Sequence, residues 1–197
     1  MNFKLIQICS DYATIAHNGQ YRKDKRTPYI SHSSRVSNYV SMFMLNDSVS
    51  ISAAYLHDVL EDCRIDTIGY KITNCSIPFD KFLLDNKDIR KEDGEKIFRI
   101  VKELTCDNSL PKNERKLKYY TKLKYEGLIE SCIIKFCDRI DNLQTVDSFT
   151  KKGKEWYLKD TQIMLDILKG KCNYIDYNNA WKDLKQELDK KKLRIGD

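Results

Sequence analysis

His32, the dipeptide His57-Asp58, the acids Glu61 and Asp62, and Asp138 are the residues whose types could do chemistry together in this chain. Two neutral imidazoles and two carboxylates make a mixed nitrogen and oxygen donor set. Such a set suits manganese or a neighbouring first-row metal and leaves positions open for water and substrate. Three carboxylates fall between positions 58 and 62, where they repel one another unless a cation neutralises them. The apolar stretch Ser52-Ala53-Ala54-Tyr55-Leu56 leads into the dipeptide, and buried charge is costly unless paired or metal-bound. A histidine beside an aspartate at a helix end is common by itself, so the dipeptide gains its weight from these surroundings. Together the residues describe one divalent-metal site with an acidic pair beside it, which suits metal-dependent hydrolysis.

The elements that must position these groups read as helices. A helix over 49–62 would place His57 with Glu61, and Asp58 with Asp62, on shared faces four residues apart. In the segment 133–143, Ile133, Phe136, Cys137, Ile140 and Leu143 make an apolar stripe, while Asp138, Asn142 and Thr145 follow at i, i+4 and i+7 on a polar one. The spacing predicts further helices near 3–18, 34–45, 95–104, 111–126, 130–149, 155–170 and 177–192. Gly19, Pro28, Gly127 and Gly153 fall in the connections. Alternating strand patterns are nearly absent. The fold class is therefore all-α, with about eight helices in one domain over 1–197.

Composition supports that class. The chain has 197 residues, long enough for one substantial core, with 41% hydrophobic residues, three prolines and seven glycines. No apolar run approaches the roughly 20 residues needed to span a bilayer, and Met1-Asn2-Phe3-Lys4 does not open a signal peptide. A cytoplasmic protein without membrane association is expected. Seven cysteines lack Cys-x-x-Cys spacing and read as reduced thiols, with Cys132 and Cys137 in apolar helical surroundings. The net charge of +6 is spread among 35 basic and 29 acidic residues, a solvated surface rather than a nucleic-acid footprint. The tract Arg22-Lys23-Asp24-Lys25-Arg26 stands just before His32, where a phosphorylated substrate would need cations. Lys151-Lys152-Gly153-Lys154 and Lys190-Lys191-Lys192 read as a linker and a fraying terminus. Trp156, Tyr157 and Trp181 fall at helical spacing and read as core or interface aromatics, with Tyr119 and Tyr120 open to a substrate role.

Four motifs, in order, resemble the hydrolase domain of Rel/SpoT proteins and the small alarmone hydrolases, which are HD-domain enzymes. Ala16-His17-Asn18-Gly19-Gln20-Tyr21-Arg22-Lys23 with Pro28-Tyr29-Ile30-Ser31-His32 is similar to their opening motif. Leu56-His57-Asp58-Val59-Leu60-Glu61-Asp62 matches their metal and catalytic motif nearly letter for letter. Glu103-Leu104-Thr105 through Leu110-Pro111-Lys112-Asn113-Glu114-Arg115-Lys116 resembles their next block, and Asp138-Arg139-Ile140-Asp141-Asn142-Leu143 their final ligand helix. The resemblance runs from about residue 3 to 170.

It implies that His32, His57, Asp58 and Asp138 hold one Mn²⁺ per chain and that Glu61 and Asp62 orient and deprotonate the attacking water. It further implies that Arg22 and Lys23 face substrate phosphates, that Asn142 and Thr145 lie by the nucleoside, and that His17 is structural. The implied reaction removes the 3′-pyrophosphate of (p)ppGpp to give GDP or GTP. The partner would be a small phosphorylated nucleotide rather than nucleic acid, with the oligomeric state open and a homodimer among the options. Long Rel/SpoT proteins carry a synthetase after the hydrolase; nothing follows residue 197 here, so a one-way degrader is expected. Two other readings stay open: the same metal chemistry on another nucleotide, such as (p)ppApp or NADPH, or a non-catalytic nucleotide-binding HD protein. Intact Glu61 and Asp62 speak against the last.

Three departures from the family pattern stand out. Ser33 follows His32 where proline is usual, a change expected to act on the helix start, and Cys63 replaces a threonine after Glu61-Asp62. Between Asp62 and the helix holding Ile97, Ile100 and Val101, the chain spends roughly twenty extra residues, beyond ordinary loop lengths. This segment, 66–94, contains Ile68, Tyr70, Ile72, Ile77, Phe79, Phe82 and Leu83. It is expected to border the substrate pocket or form a subunit contact.

Overall fold

Helical spacing becomes helix throughout the computed structural model, which describes residues 1–63, 77–107, 109 and 111–193. Among the described residues the fold is all-α, with no strand beyond an isolated bridge between Tyr21 and Pro28. The backbone groups into two compact units, Met1–Thr105 and Cys106–Asp197. Among the described residues no helix is long and apolar enough to cross a membrane.

The first unit holds α1 (Phe3–Ala16), α2 (Ile30–Phe43), α3 (Ser48–Leu56), α4 (Val59–Asp62), α5 (Phe79–Leu84) and α6 (Lys91–Leu104). Seven of the nine residues of α3 are buried, because α1, α2 and α6 all pack against it. A helix surrounded in this way must be apolar or small on every face. The sequence Ser-Val-Ser-Ile-Ser-Ala-Ala-Tyr-Leu meets that demand, and Ser37 Oγ donates to the Ile51 carbonyl at 3.3 Å where α2 crosses. Asp47 starts the helix by accepting from the Val49 and Ser50 amides at 3.1 and 3.0 Å, which satisfies two otherwise unpaired donors.

Two boundaries differ from the periodicity. The helix expected from residue 34 begins at Ile30, so His32 and Ser33 lie buried in its first turn. Pro28 breaks the preceding chain and its carbonyl then accepts from the Ser31 amide and hydroxyl at 3.1 and 2.7 Å, closing the turn early. The single helix expected over 49–62 is two helices, because the chain turns at His57-Asp58. A new helix starts at Val59, with the Asp62 amide bonding the Asp58 carbonyl at 2.8 Å.

The described part of the long connection is a core element of this unit. Tyr12 stacks on Phe82 at 3.9 Å between ring centroids, Phe79 lies 5.9 Å from Tyr12 and 6.0 Å from Phe98, and Tyr12 Oη donates to the Ile77 carbonyl at 3.0 Å. Residues 64–76, with Ile68, Tyr70 and Ile72, lie outside the described residues. Gly94 lets α5 seat on α6: a Cβ there would stand 2.2 Å from the Leu83 carbonyl oxygen.

The second unit holds α7 (Lys112–Tyr125), α8 (Ile129–Gln144), a 3-10 turn (Val146–Ser148), α9 (Lys151–Leu168) and α10 (Ile175–Leu193). Its interior contains a charge. Arg139 on α8 is 3% exposed, pairs with Asp160 of α9 at 2.6 Å, and bonds Tyr120 of α7 at 2.5 Å; Tyr120 in turn donates to Asp160 at 2.8 Å. The guanidinium lies 4.6 Å from the Tyr157 ring centroid. Tyr120 therefore serves this network, and Trp156 is exposed rather than core. Lys151-Lys152-Gly153-Lys154 is the first turn of α9, capped by Thr150, not a linker. Lys191 is buried against Asp147 at 3.0 Å, not frayed.

Two substitutions check this packing by urea unfolding. Ala in a helix normally gains roughly 0.5–1 kcal/mol over Gly, yet we expect Gly94→Ala to lose about 1–3 kcal/mol because α5 must move. Asp160→Ala should cost about 3–5 kcal/mol, since it strands the Arg139 charge.

Candidate metal and acid site

The first unit by itself brings three of the expected ligands together. His32, His57 and Asp58 each present one donor atom, and these atoms lie within 4.8 Å of one another. His57 Nε2 stands 2.9 Å from Asp58 Oδ2 and His32 Nε2 3.6 Å from the same oxygen. Both imidazoles are buried, 0% exposed for His32 and 2% for His57, with ring centroids 5.2 Å apart. The break at His57 is what makes the arrangement possible. Having left the helix, its ring turns back so that Nδ1 lies 2.8 Å from the Ala54 carbonyl. A carbonyl only accepts, so Nδ1 carries a proton and the ring is turned with Nε2 toward the site, the usual way a ligating histidine is oriented. Buried imidazoles beside a carboxylate fit a divalent cation.

Tyr29, one turn before His32 and unassigned by sequence reasoning, is the hub of the polar contacts. Its hydroxyl donates to Asp58 Oδ2 at 2.6 Å. The Asp62 amide bonds the Asp58 carbonyl at 2.8 Å, so the two acids stay one turn apart beyond the broken helix. The signal that could have found Tyr29 is its spacing of three from His32, which puts both on one turn. The guanidinium carbon of Arg22 lies 5.6 Å from the Tyr29 ring centroid, so the basic tract does reach this neighbourhood. Lys23 is exposed, next to Arg22, on a turn that Asp24 organises by accepting from the Arg26 and Thr27 amides at 2.9 Å each.

His17 has the structural contacts expected of it. Its Nδ1 lies 2.8 Å from Gln20 Oε1 and 3.4 Å from Cys63 Sγ, and its ring stacks on Tyr29 at 4.6 Å. Cys63 also donates to the Ala16 carbonyl at 3.3 Å, as a threonine hydroxyl would.

The electrostatics separate the two aspartates. Burial alone would raise the Asp58 carboxyl, but His57 and His32 outweigh it and hold Asp58 well below the usual carboxylate range. Asp62 moves the other way, raised by burial and by the charges of Asp58 and Glu61. Burial lowers His17, with His57 and His32 acting in the same direction against Gln20 and Asp58.

Asp138, Asn142 and Thr145 stand in the second unit. Asp138 is buried and accepts from Lys135 Nζ at 2.7 Å and from Asn142 Nδ2 at 2.5 Å. Asn142 therefore holds the Asp138 carboxylate, a contact visible in the i, i+4 spacing. Thr145 caps the end of α8, its hydroxyl donating to the Asn142 carbonyl at 3.2 Å. Lys116 and Lys135 both approach the Tyr119 ring at 5.9 Å. Burial, then the charges of Lys135 and Arg139, lowers the Lys116 pKa.

An all-α fold whose first unit gathers two histidines and the aspartate of a His-Asp dipeptide is the arrangement of an HD domain. The HD-domain profile matches residues 9–163, and the chain belongs to that family. Within it, the chain is 31% identical over 173 residues to the guanosine-3′,5′-bis(diphosphate) 3′-pyrophosphohydrolase MESH1 of Drosophila melanogaster, covering 82% of this chain and 83% of that one. It is likewise 31% identical to MESH1 of Homo sapiens, over 73% of this chain and 70% of that one. A solved structure described as a metazoan ortholog of SpoT that hydrolyses ppGpp superposes with a TM-score of 0.68 at 25% identity, covering 93% and 94% of the two chains.

The ligand set has a direct check. We expect His57→Ala and Asp58→Ala to abolish stoichiometric metal, read by elemental analysis of protein purified without chelator. An Asp58→Ala protein that retains a full equivalent would remove Asp58 from the ligand set.

Proposed function

We propose that this chain is a Mn²⁺-dependent phosphohydrolase that removes the 3′-pyrophosphate of (p)ppGpp, acting in the cytoplasm on a small nucleotide. The observation that carries the reading is the meeting of buried His32 and His57 with Asp58 in one cluster, with Asp62 one helical turn beyond Asp58. The MESH1 relatives, named for this reaction, supply the substrate class.

In the proposed site His32, His57, Asp58 and Asp138 hold one cation per chain, and the mixed nitrogen and oxygen donors favour manganese. A divalent ion there would polarise the phosphoryl group and make water more acidic. The chain's own residues do the rest. Asp62, whose carboxyl burial and Asp58 push up toward the working pH, takes a proton from the attacking water, and Glu61 orients that water. The water oxygen bonds to the phosphorus carried by the 3′ oxygen. The bond between that phosphorus and the 3′ oxygen breaks, pyrophosphate leaves, and the 3′ oxygen takes up a proton to give GDP or GTP. Arg22 and Lys23 meet phosphate oxygens with fixed positive charge. Asn142 holds Asp138 and, with Thr145, lines the nucleoside end.

Products resolved by ion-exchange chromatography with Mn²⁺ test the substrate. Guanosine tetraphosphate should yield GDP and pyrophosphate, and Arg22→Ala should mainly raise KM. Consumption of NADPH or an adenosine alarmone with guanosine tetraphosphate untouched would replace the substrate, and no turnover of any would leave a nucleotide-binding protein. Glu61→Gln and Asp62→Asn should each lower kcat on the order of 10²–10⁴-fold with metal content intact.

A further inference from the structure

We propose that Tyr29 is a positioning residue that couples the cation site to the basic loop, its hydroxyl orienting the Asp58 carboxylate and its ring carrying Arg22. The inference rests on the reading above only for the substrate; its metal arm stands on Asp58 alone. Three contacts support it. The hydroxyl donates to Asp58 Oδ2, the oxygen that both His57 Nε2 and His32 Nε2 approach, at 2.6 Å. One side of the ring is stacked by buried His17 at 4.6 Å, and His17 is itself held by Gln20. The Arg22 guanidinium lies 5.6 Å from the ring centroid.

A phenol has one proton to donate, and a carboxylate between two imidazoles has several rotamers to choose from. Donation to Oδ2 selects one of them, and groups that orient a metal-binding carboxylate are worth 10–100-fold in affinity or activity. The ring performs a separable task. An arginine over an aromatic face loses less freedom when it meets a phosphate, because its plane is already oriented. Hydroxyl and ring thus serve different ligands from one side chain, and replacing each in turn should separate them.

Tyr29→Phe keeps the ring and removes the donor. It should weaken Mn²⁺ binding about 10–100-fold, measured by Mn²⁺ titration followed by electron paramagnetic resonance of the free ion. The melting temperature of the metal-free protein should not move, and excess Mn²⁺ should restore kcat with KM unchanged. Tyr29→Gln keeps a donor and removes the ring. It should bind Mn²⁺ more tightly than Tyr29→Phe does while raising KM for guanosine tetraphosphate at saturating Mn²⁺. Wild-type Mn²⁺ affinity in Tyr29→Phe overturns the proposal. So does an equal loss of affinity in both variants with a fall in metal-free melting temperature, which would make Tyr29 a packing residue only. Because the titration needs no substrate, a wrong substrate assignment leaves this result intact.

Discussion

Burial of α3 on every side is the constraint on which the first unit depends. A helix packed by α1, α2 and α6 has no solvent face on which to carry polar groups. The chain can present His57 and Asp58 to a ligand only where that helix stops. The stop is built from the site residue itself, since the His57 ring bonds the Ala54 carbonyl of the turn it has just left. One hydrogen bond therefore helps to end the central helix and orients the imidazole. The small residues Ser50, Ser52, Ala53 and Ala54 do the complementary work, letting three helices approach closely enough to make the end of α3 rigid.

Around that end, the polar groups are connected rather than merely near. His17 stacks on Tyr29, Tyr29 bonds Asp58, and Arg22 lies over the same ring. In a low-dielectric site a connected set is costly to disturb, because each lost partner leaves a buried group unsatisfied. The opposite displacement of the two aspartates follows from the same geometry. Asp58 sits between imidazoles and stays ionised, while Asp62 faces its charge and is driven toward the proton. Carboxylates pushed apart in this way can take different roles, one holding a cation and the other moving a proton.

The second unit uses charge for a different purpose. Arg139, Asp160, Tyr120 and Tyr157 form a buried ionic network that ties α7, α8 and α9 together at the residue next to Asp138. Buried ion pairs are weak sources of stability but strict about geometry. Here that strictness fixes the rotation of α8, and with it the face on which Asp138 and Asn142 stand.

By itself the sequence determined the helical class, the order of the motifs and the candidate donors His32, His57 and Asp58 that the fold then gathers, because spacing and residue type report local periodicity and donor chemistry directly. The stripe of Asp138 and Asn142 was legible for the same reason, an i, i+4 contact on one helix. Three features were not legible. The helix expected over 49–62 breaks at His57, since a ring bonding back to its own helix has no signature in apolar spacing. The extra segment became a core element only once Tyr12 and Gly94 supplied a surface and a gap to receive α5, contacts between residues more than ten positions apart. Tyr29 emerged as the hub because its hydroxyl reaches Asp58, 29 positions away. Local pattern names which groups are available for chemistry; only packing between distant segments decides which of them meet.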